Sequence, residues 1–149
     1  QTHPADGNAG ALVTTRERAR ELATDKGIEV ELLSFGQHRE APGYMPAAPG
    51  PAAAQALQRA GLSVAQVDAI KTHNPFAVND LALAADLGFP WERMNNYGSS
   101  IIWGHPQAPT GLRGVIELIE ELVLRGSGRI SFASPGETEG ADIAEFETL

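Results

Sequence analysis

Two histidines, His73 and His105, are the residues of this sequence best placed to carry chemistry. Each follows a strand-like segment and begins a loop, which in an α/β sheet is the edge where ligands bind. A histidine at such an edge can act as a general base or donate a hydrogen bond to a developing oxyanion. An isolated histidine is also commonly a packed or surface residue, so both readings stay open. The two are not at metal-ligand spacing, and no metal site is predicted.

The loop of residues 104–111 is a second candidate, because it leads directly into the helix predicted to open at Thr110. Unpaired N–H groups and the helix dipole favour negative charge at such a position. A capped helix start, with Thr110 as the N-cap, explains the same residues at least as well. The glutamates at 117, 120 and 121 are most simply a solvated face, and no catalytic role is predicted for them.

Composition bounds the classes of function. The chain has 149 residues, a formal charge of -8 from 11 Lys and Arg against 19 Asp and Glu, and no cysteine. The acidic balance disfavours nucleic-acid binding. No apolar stretch reaches the roughly 20 residues of a membrane span, and no leader pattern opens the sequence, so a cytoplasmic protein is predicted. Without cysteine, this chain has no disulfide and no thiol nucleophile of its own.

Hydrophobic periodicity and breaker residues predict alternating strands and helices. Strands are expected at 10–14, 28–35, 67–71, 129–133 and 141–146, and helices at 15–23, 51–60, 78–87 and from 110 onward. Residues 101–103 are strand-like, and 36–50 read as a loop. The last two strands, joined by an acidic turn at 135–140, are expected to pair antiparallel. The fold class is therefore α/β, with five strands in the main sheet.

Three stretches of the sequence resemble the thiolase superfamily. Residues 97–106, ending in Gly104-His105-Pro106, resemble the glycine-rich loop and Gly-His-Pro motif that precede a Gly-Arg-containing helix, matched here by residues 110–113. Residues 72–77 lie at the position of the Asn-Glu-Ala-Phe-Ala block and are closer to the histidine-bearing variant of the sterol-carrier-protein type. Residues 5–13 resemble the Asp-Gly-Ala strand that ends the family's N-terminal half.

The resemblance implies a thiolase-like fold that covers essentially the whole chain. Residues 1–27 would be the end of the N-terminal-type domain, contributing one strand and one helix. Residues 28–149 would form the C-terminal-type domain, with element order βαβαβαββ. The substrate it implies is a coenzyme A thioester, with no covalently bound cofactor and no metal.

The family also implies roles for particular residues. The Gly-His-Pro histidine activates a cysteine nucleophile and helps to hold the thioester oxygen, and this role would pass to His105. His73 would help to shape the same oxyanion site, and Asn74, Phe76 and Gly104 would bind substrate. The nucleophile lies in the family's N-terminal half. It is therefore expected on a partner chain, in a hetero-oligomer built on a thiolase-like dimer.

The sequence departs from the family near its end. The second cysteine of the family, the acid/base of the carbon–carbon step, is replaced here by Ala133. Pro135 replaces a glycine whose N–H serves a second oxyanion hole, and proline has no N–H to donate. A register shifted by one residue would restore a donor at Gly136 but not the thiol.

Two kinds of function follow from these observations. The first is part of an acyl-CoA enzyme of lipid metabolism that makes or breaks a carbon–carbon bond next to a thioester, as an acyltransferase or as an aldolase-type lyase. This chain alone would be inactive. The second is a non-catalytic thiolase-like assembly subunit. The two histidines favour the enzyme, whereas Ala133 and Pro135 favour the lyase or the assembly subunit. The sequence sets neither the acyl chain nor the direction of reaction.

Overall fold

The computed structural model describes residues 3–126, 128–135 and 140–148, with side chains up to Gly126. The described strands form one four-stranded sheet with the order β1-β4-β3-β2. Its strands are β1 (Val30–Arg39), β2 (Ala69–Thr72), β3 (Gly128–Pro135) and β4 (Gly140–Thr148). The helices are α1 (Arg16–Leu22), α2 (Pro49–Ala60), α3 (Ala77–Leu87), α4 (Ser100–Trp103) and α5 (Thr110–Arg125). Across these residues, no helix is long and apolar enough to cross a membrane.

The sheet is mixed in direction. Strand β4 pairs antiparallel with both β1 and β3, and β3 pairs parallel with β2. The predicted antiparallel pair at the end of the chain is therefore confirmed. Its acidic turn falls at residues 136–139, outside the described residues. The parallel pairing matters for the site, because it brings the carboxyl ends of β2 and β3 to the same edge of the sheet.

Helices cover both faces of the sheet, as an α/β fold requires. Consecutive residues of a strand point to opposite faces, and β2 shows this directly. Ile70 belongs to the core cluster formed with α2 and α3, whereas Ala69 packs with Leu118 and Leu122 of α5. The α/β fold class predicted from the sequence is thus confirmed.

Helix α2 lies very close to β1 because the residues between them are small. Ala52, Ala53 and Ala56 are fully buried, and the backbone of α2 passes directly over Gly36. The hydroxyl of Ser34 donates to the carbonyl of Ala56 at 2.8 Å in the same contact.

Three local expectations were wrong. Residues 10–14 form no strand; Leu12 and Val13 are 75% and 86% exposed and have no neighbouring strand to complete their hydrogen bonds. The apolar run before Gly104 forms helix α4 instead of a strand, so the described sheet has four strands and not five. At the edge of the sheet beside β2, where a fifth strand would pair, a single parallel bridge joins Ile70 and Met94.

The predicted loop at residues 36–50 is also shorter than expected. Strand β1 continues to Arg39 and α2 already begins at Pro49. The continuation of β1 is explained by its pairing with β4, which extends as far as Arg39 opposite Gly140.

We expect Gly36→Ala to lower the free energy of unfolding by about 1–3 kcal/mol, the usual cost of overpacking a core. The added Cβ would overlap the carbonyl oxygen of Ala52, which belongs to the helix backbone and cannot rotate away. Urea unfolding of the assembled protein measures the effect. Gly10→Ala is the matched control, because nothing lies within 4 Å of its added Cβ. Equal stability of the two variants would contradict the close approach of α2 to β1.

Candidate active site

The two histidines predicted from the sequence meet in the structure. His73 follows the last residue of β2, and His105 follows α4 through Gly104. Their ring centroids are 4.3 Å apart and their planes are tilted by 32°. The side chain of His73 is buried and that of His105 is half-buried. The pair therefore forms one site, open on the His105 side.

Each histidine is held at Nδ1 by a hydroxyl group. The Nδ1 atom of His73 lies 2.7 Å from the Oγ of Ser100, and that of His105 lies 2.9 Å from the Oγ1 of Thr110. Both hydroxyl residues are buried. Within residues 3–126, neither Nε2 atom has a hydrogen-bond partner, so both remain available to a ligand.

Thr110 does not cap α5, contrary to one reading of the sequence. The N-cap is Pro109, and the helix start has no side-chain cap hydrogen bond. The hydroxyl of Thr110, the first residue of the helix, is engaged with His105 instead. The helix start therefore contributes a positioning contact to the histidine pair.

The backbone of His105 is braced by the beginning of the chain. Its N–H donates to the carbonyl of His3 at 2.6 Å, and a parallel bridge joins it to Pro4. Gly104 has a φ of +87°, and a Cβ there would come within 2.6 Å of the Cβ of Ala5. Glycine is required at this position both by the conformation and by the close approach.

The environment keeps His73 neutral. Burial, together with smaller contributions from the neighbouring His105 and Arg113, lowers the pKa of His73 from its usual value of 6.5 to about 4. A buried imidazolium would lose its hydration, which is why desolvation is the largest cause. At physiological pH, His73 is therefore a neutral ring that can donate one hydrogen bond and accept another.

A carboxylate, Asp80, organises the segment that carries His73. It lies in the first turn of α3 and accepts from the hydroxyl of Thr72 at 2.5 Å. It also accepts from the side-chain amides of Asn74 and Asn95. Asn95 has a left-handed φ of +53°, and its side-chain oxygen accepts from the backbone N–H of Thr72 at 2.9 Å. The hydrogen bonds of Asp80 and Asn95 thus fix the end of β2 and the segment that follows it.

A buried ion pair ties β2 to α5. The ammonium of Lys71 contacts the carboxylate of Glu117 and the carbonyl of Gly98, and the Lys71 side chain is 5% exposed. Arg113 lies 3.3 Å from the same carboxylate. Glu117 was expected to belong to a solvated face, but it is partly buried and structural. Glu121 is likewise buried, in contact with Arg125 and Asn96.

The residues predicted to bind substrate occupy different positions. Gly104 adjoins the histidine pair and Phe76 is 43% exposed at the start of α3. Asn74 is buried, with its amide nitrogen on Asp80 and its Oδ1 without a hydrogen-bond partner in the described part of the chain. Their roles toward a substrate stay predictions. Sequence reasoning missed Ser100 and Asp80, since a serine and an aspartate carry no motif by themselves.

Ala133 and Pro135, the two residues that differ from the thiolase pattern, have backbone positions beside the candidate site. Ala133 is in register with Thr72, the residue that precedes His73. Pro135 lies two residues further along β3, beyond the last pairing with β2, and pairs with Ala141 of β4. Proline is tolerated there because no ladder hydrogen bond to β2 is needed past Thr72.

The described residues hold no group of three or more histidine, cysteine, aspartate or glutamate side chains that could bind a metal ion. The donors at the site are imidazole, hydroxyl and amide groups. The arrangement is suited to holding an oxygen atom that gains negative charge and to moving a proton.

The chain belongs to the thiolase family. Residues 27–145 match the family model described as the C-terminal domain of thiolase. This match covers most of the chain and includes both histidines, strands β1, β2 and β3, and β4 as far as residue 145. The resemblance to thiolases in the Gly-His-Pro motif and its flanking blocks is therefore confirmed.

Curated relatives agree with this assignment. An acetyl-CoA acetyltransferase of Syntrophomonas wolfei is 34% identical over 124 residues, covering 82% of this chain and 31% of the relative. The human peroxisomal 3-ketoacyl-CoA thiolase is 36% identical over 122 residues, covering 82% of this chain and 28% of the relative. The chain thus spans about a third of the length of the curated relatives it matches.

Solved structures support the fold. The acetyl-CoA acetyltransferase of Bacillus anthracis superposes with a TM-score of 0.82 at 26% identity, covering 91% of this chain and 34% of that one. Human mitochondrial 3-ketoacyl-CoA thiolase gives the same TM-score at 22% identity, which speaks for the fold alone.

We expect the stability of the protein to depend on His73 between about pH 6.5 and about pH 4. In this window the unfolded chain protonates this histidine and the folded chain does not, so the unfolded state binds more protons and stability falls as the pH drops. His73→Asn removes this contribution. Denaturant unfolding of both proteins at the two ends of the window should show a weaker pH dependence for the variant.

The control for this experiment is His38→Asn, because His38 is partly exposed beside Glu40 and away from the pair. Its unfolding should retain the pH dependence of the unmodified protein. Equal pH dependence of the His73 variant and the unmodified protein would contradict the neutral, buried state of His73.

Proposed function

We propose that this chain supplies the histidine-bearing part of an active site that makes or breaks a carbon–carbon bond next to a coenzyme A thioester, as an acyltransferase of the thiolase type. The observation that carries the proposal is the contact between His73 and His105, with each Nδ1 on a hydroxyl and neither Nε2 on a partner among residues 3–126. The names of the relatives, acetyl-CoA acetyltransferase and 3-ketoacyl-CoA thiolase, support the same reaction class.

The two histidine rings would have different roles in the reaction. Attack on a thioester places negative charge on its carbonyl oxygen, and N–H donors aimed at that oxygen lower the barrier. His73 is suited to a fixed donor, because it is buried and neutral at physiological pH. His105 is more accessible and is suited to taking the proton of the nucleophile and to contacting the oxygen once the bond has formed. Asn74, Phe76 and Gly104 would line the acyl side of this site.

The nucleophile would come from outside this sequence, since the 149 residues contain no cysteine. We place it on a partner chain equivalent to the N-terminal half of a thiolase, in a hetero-oligomer built on a thiolase-like dimer. Helix α4, which leads into His105, exposes large apolar side chains that support such a contact. They are Ile101 at 46%, Ile102 at 63% and Trp103 at 54% exposure. Clustered apolar surface of this kind usually marks a protein contact.

Two other functions are favoured by one specific observation, the replacement of the second cysteine by Ala133. Without that acid/base, the same site could cleave an aldol bond in a coenzyme A ester, because a lyase of that type needs no second thiol. It could also serve assembly alone. Pro135 points the same way, since it offers no N–H to a second oxyanion.

We retain the cytoplasm as the proposed compartment, although one relative is named as peroxisomal.

We expect His105→Ala to abolish acyl-enzyme formation while leaving the complex intact, because the nucleophile would lose the base that activates it. The measurement is labelling of the partner chain by a radioactive acyl-CoA, followed by separation of the chains. His38→Ala is the control, as it removes an imidazole from β1 and leaves the site unchanged. Unchanged labelling with His105→Ala would refute the proposed role.

A second expectation concerns the missing thiol. If no residue of the partner chain or of another loop supplies the acid/base that is missing at Ala133, the assembled protein should form an acyl-enzyme yet fail at thiolytic exchange between two acyl-CoA molecules. Ala133→Cys alone should restore this exchange incompletely, since Pro135 still withholds a backbone donor. Thiolysis and aldol cleavage are assayed on matched coenzyme A esters. Robust thiolysis by the unmodified protein would show that another residue supplies the acid/base.

A further inference from the structure

Ser100 has a buried hydroxyl whose environment limits what it can do. The residue opens helix α4 and is 3% exposed. Among residues 3–126, the Nδ1 of His73 is the one hydrogen-bond partner of its Oγ, at 2.7 Å. A hydroxyl can donate or accept in such a pair, and so can a neutral imidazole nitrogen. The direction of this hydrogen bond therefore decides which nitrogen of His73 carries the proton.

The environment favours one direction. If the Nδ1–H of His73 donated to the serine, the hydroxyl hydrogen would be buried with no acceptor, which is costly. If the hydroxyl donates to Nδ1, the hydroxyl hydrogen has an acceptor and the ring proton lies on Nε2, which has no partner among residues 3–126 and can donate to a ligand. We infer that Ser100 is a positioning residue: its hydroxyl donates to Nδ1 of His73 and holds the ring in the form that presents an N–H from Nε2 to the ligand.

The position of Ser100 is itself well fixed. Gly98 precedes it with a φ of +100°, and a Cβ there would collide with the indole of Trp103. The carbonyl of Gly98 accepts from the buried Lys71, and the carbonyl of Ser100 accepts from the N–H of Gly104. The backbone that carries the Ser100 hydroxyl is therefore held by hydrogen bonds at Gly98 and at Ser100 itself. A donor fixed in this way orients the imidazole without reorganising during the reaction.

The catalytic part of this inference rests on the proposed acyl-transfer function, whereas the hydrogen bond can be tested without it. Three variants of the complete protein separate the two. Ser100→Ala removes the hydroxyl, and Ser100→Thr retains one. Ser99→Ala is the matched control, because Ser99 is the adjacent buried serine and makes no side-chain cap hydrogen bond.

The first measurement is the ring nitrogen spectrum of His73 after labelling the histidines with 15N. The unmodified protein and the Ser99→Ala variant should show an unprotonated Nδ1 and a protonated Nε2. Ser100→Ala should shift both nitrogens toward the average of the two forms, and Ser100→Thr should restore the original spectrum. A protonated Nδ1 in the unmodified protein, or an unchanged spectrum in Ser100→Ala, would overturn the inference.

The second measurement is the rate of acyl-enzyme formation. Losing one oriented hydrogen bond should lower kcat about tenfold in Ser100→Ala and leave KM within about twofold, because the ring orientation matters most when the oxyanion forms. Ser99→Ala should keep the full rate. A Ser100→Ala variant that acylates at the full rate would refute the positioning role. If the unmodified protein forms no acyl-enzyme at all, the proposed function fails, and the nitrogen spectra still decide the hydrogen bond.

Discussion

The ion pair between Lys71 and Glu117 is the contact on which the arrangement of the site depends. A charge that is 5% exposed is tolerated only with a close opposite charge, and removing one partner of such a pair typically costs about 3–5 kcal/mol. The pair joins β2 to the first half of α5. One element ends at His73 and the other begins at the hydroxyl of Thr110 that holds His105. The ion pair therefore ties the strand that leads to His73 to the helix whose first residue contacts His105.

This arrangement also explains why the histidines differ in chemistry although they lie side by side. His73 sits at the inner end, where burial favours its neutral form. His105 sits at the outer end, on a loop braced by residues 3–5. The proposed roles, a fixed neutral donor and a more accessible proton acceptor, rest on this difference in burial between the two rings. The Gly-His-Pro motif is a feature of the family, whereas the difference in burial between the two histidines results from local packing.

Much of this could be predicted from the sequence, for identifiable reasons. Long apolar periodicity predicted α5, and the Gly-His-Pro block pointed to His105. Short apolar runs cannot be assigned by periodicity, and the run that forms α4 was taken as strand-like. The stretch at residues 10–14 has strand propensity but no neighbouring strand, and a strand without a neighbour does not form. The role of Ser100 depends on a contact across 27 positions of sequence, which no local pattern reveals.

The bridge between Pro4 and His105 joins distant parts of the sequence and closes a large loop. Loop closure of this kind is entropically costly and is repaid only after the intervening elements have packed. We therefore expect the loop that carries His105 to become ordered late in folding. In the native state, the same bridge would open locally more easily than the sheet, since the described residues join the two segments by one backbone hydrogen bond, from the N–H of His105 to the carbonyl of His3. Amide hydrogen exchange at His105 would then follow the detachment of residues 3–5 and not the unfolding of the sheet.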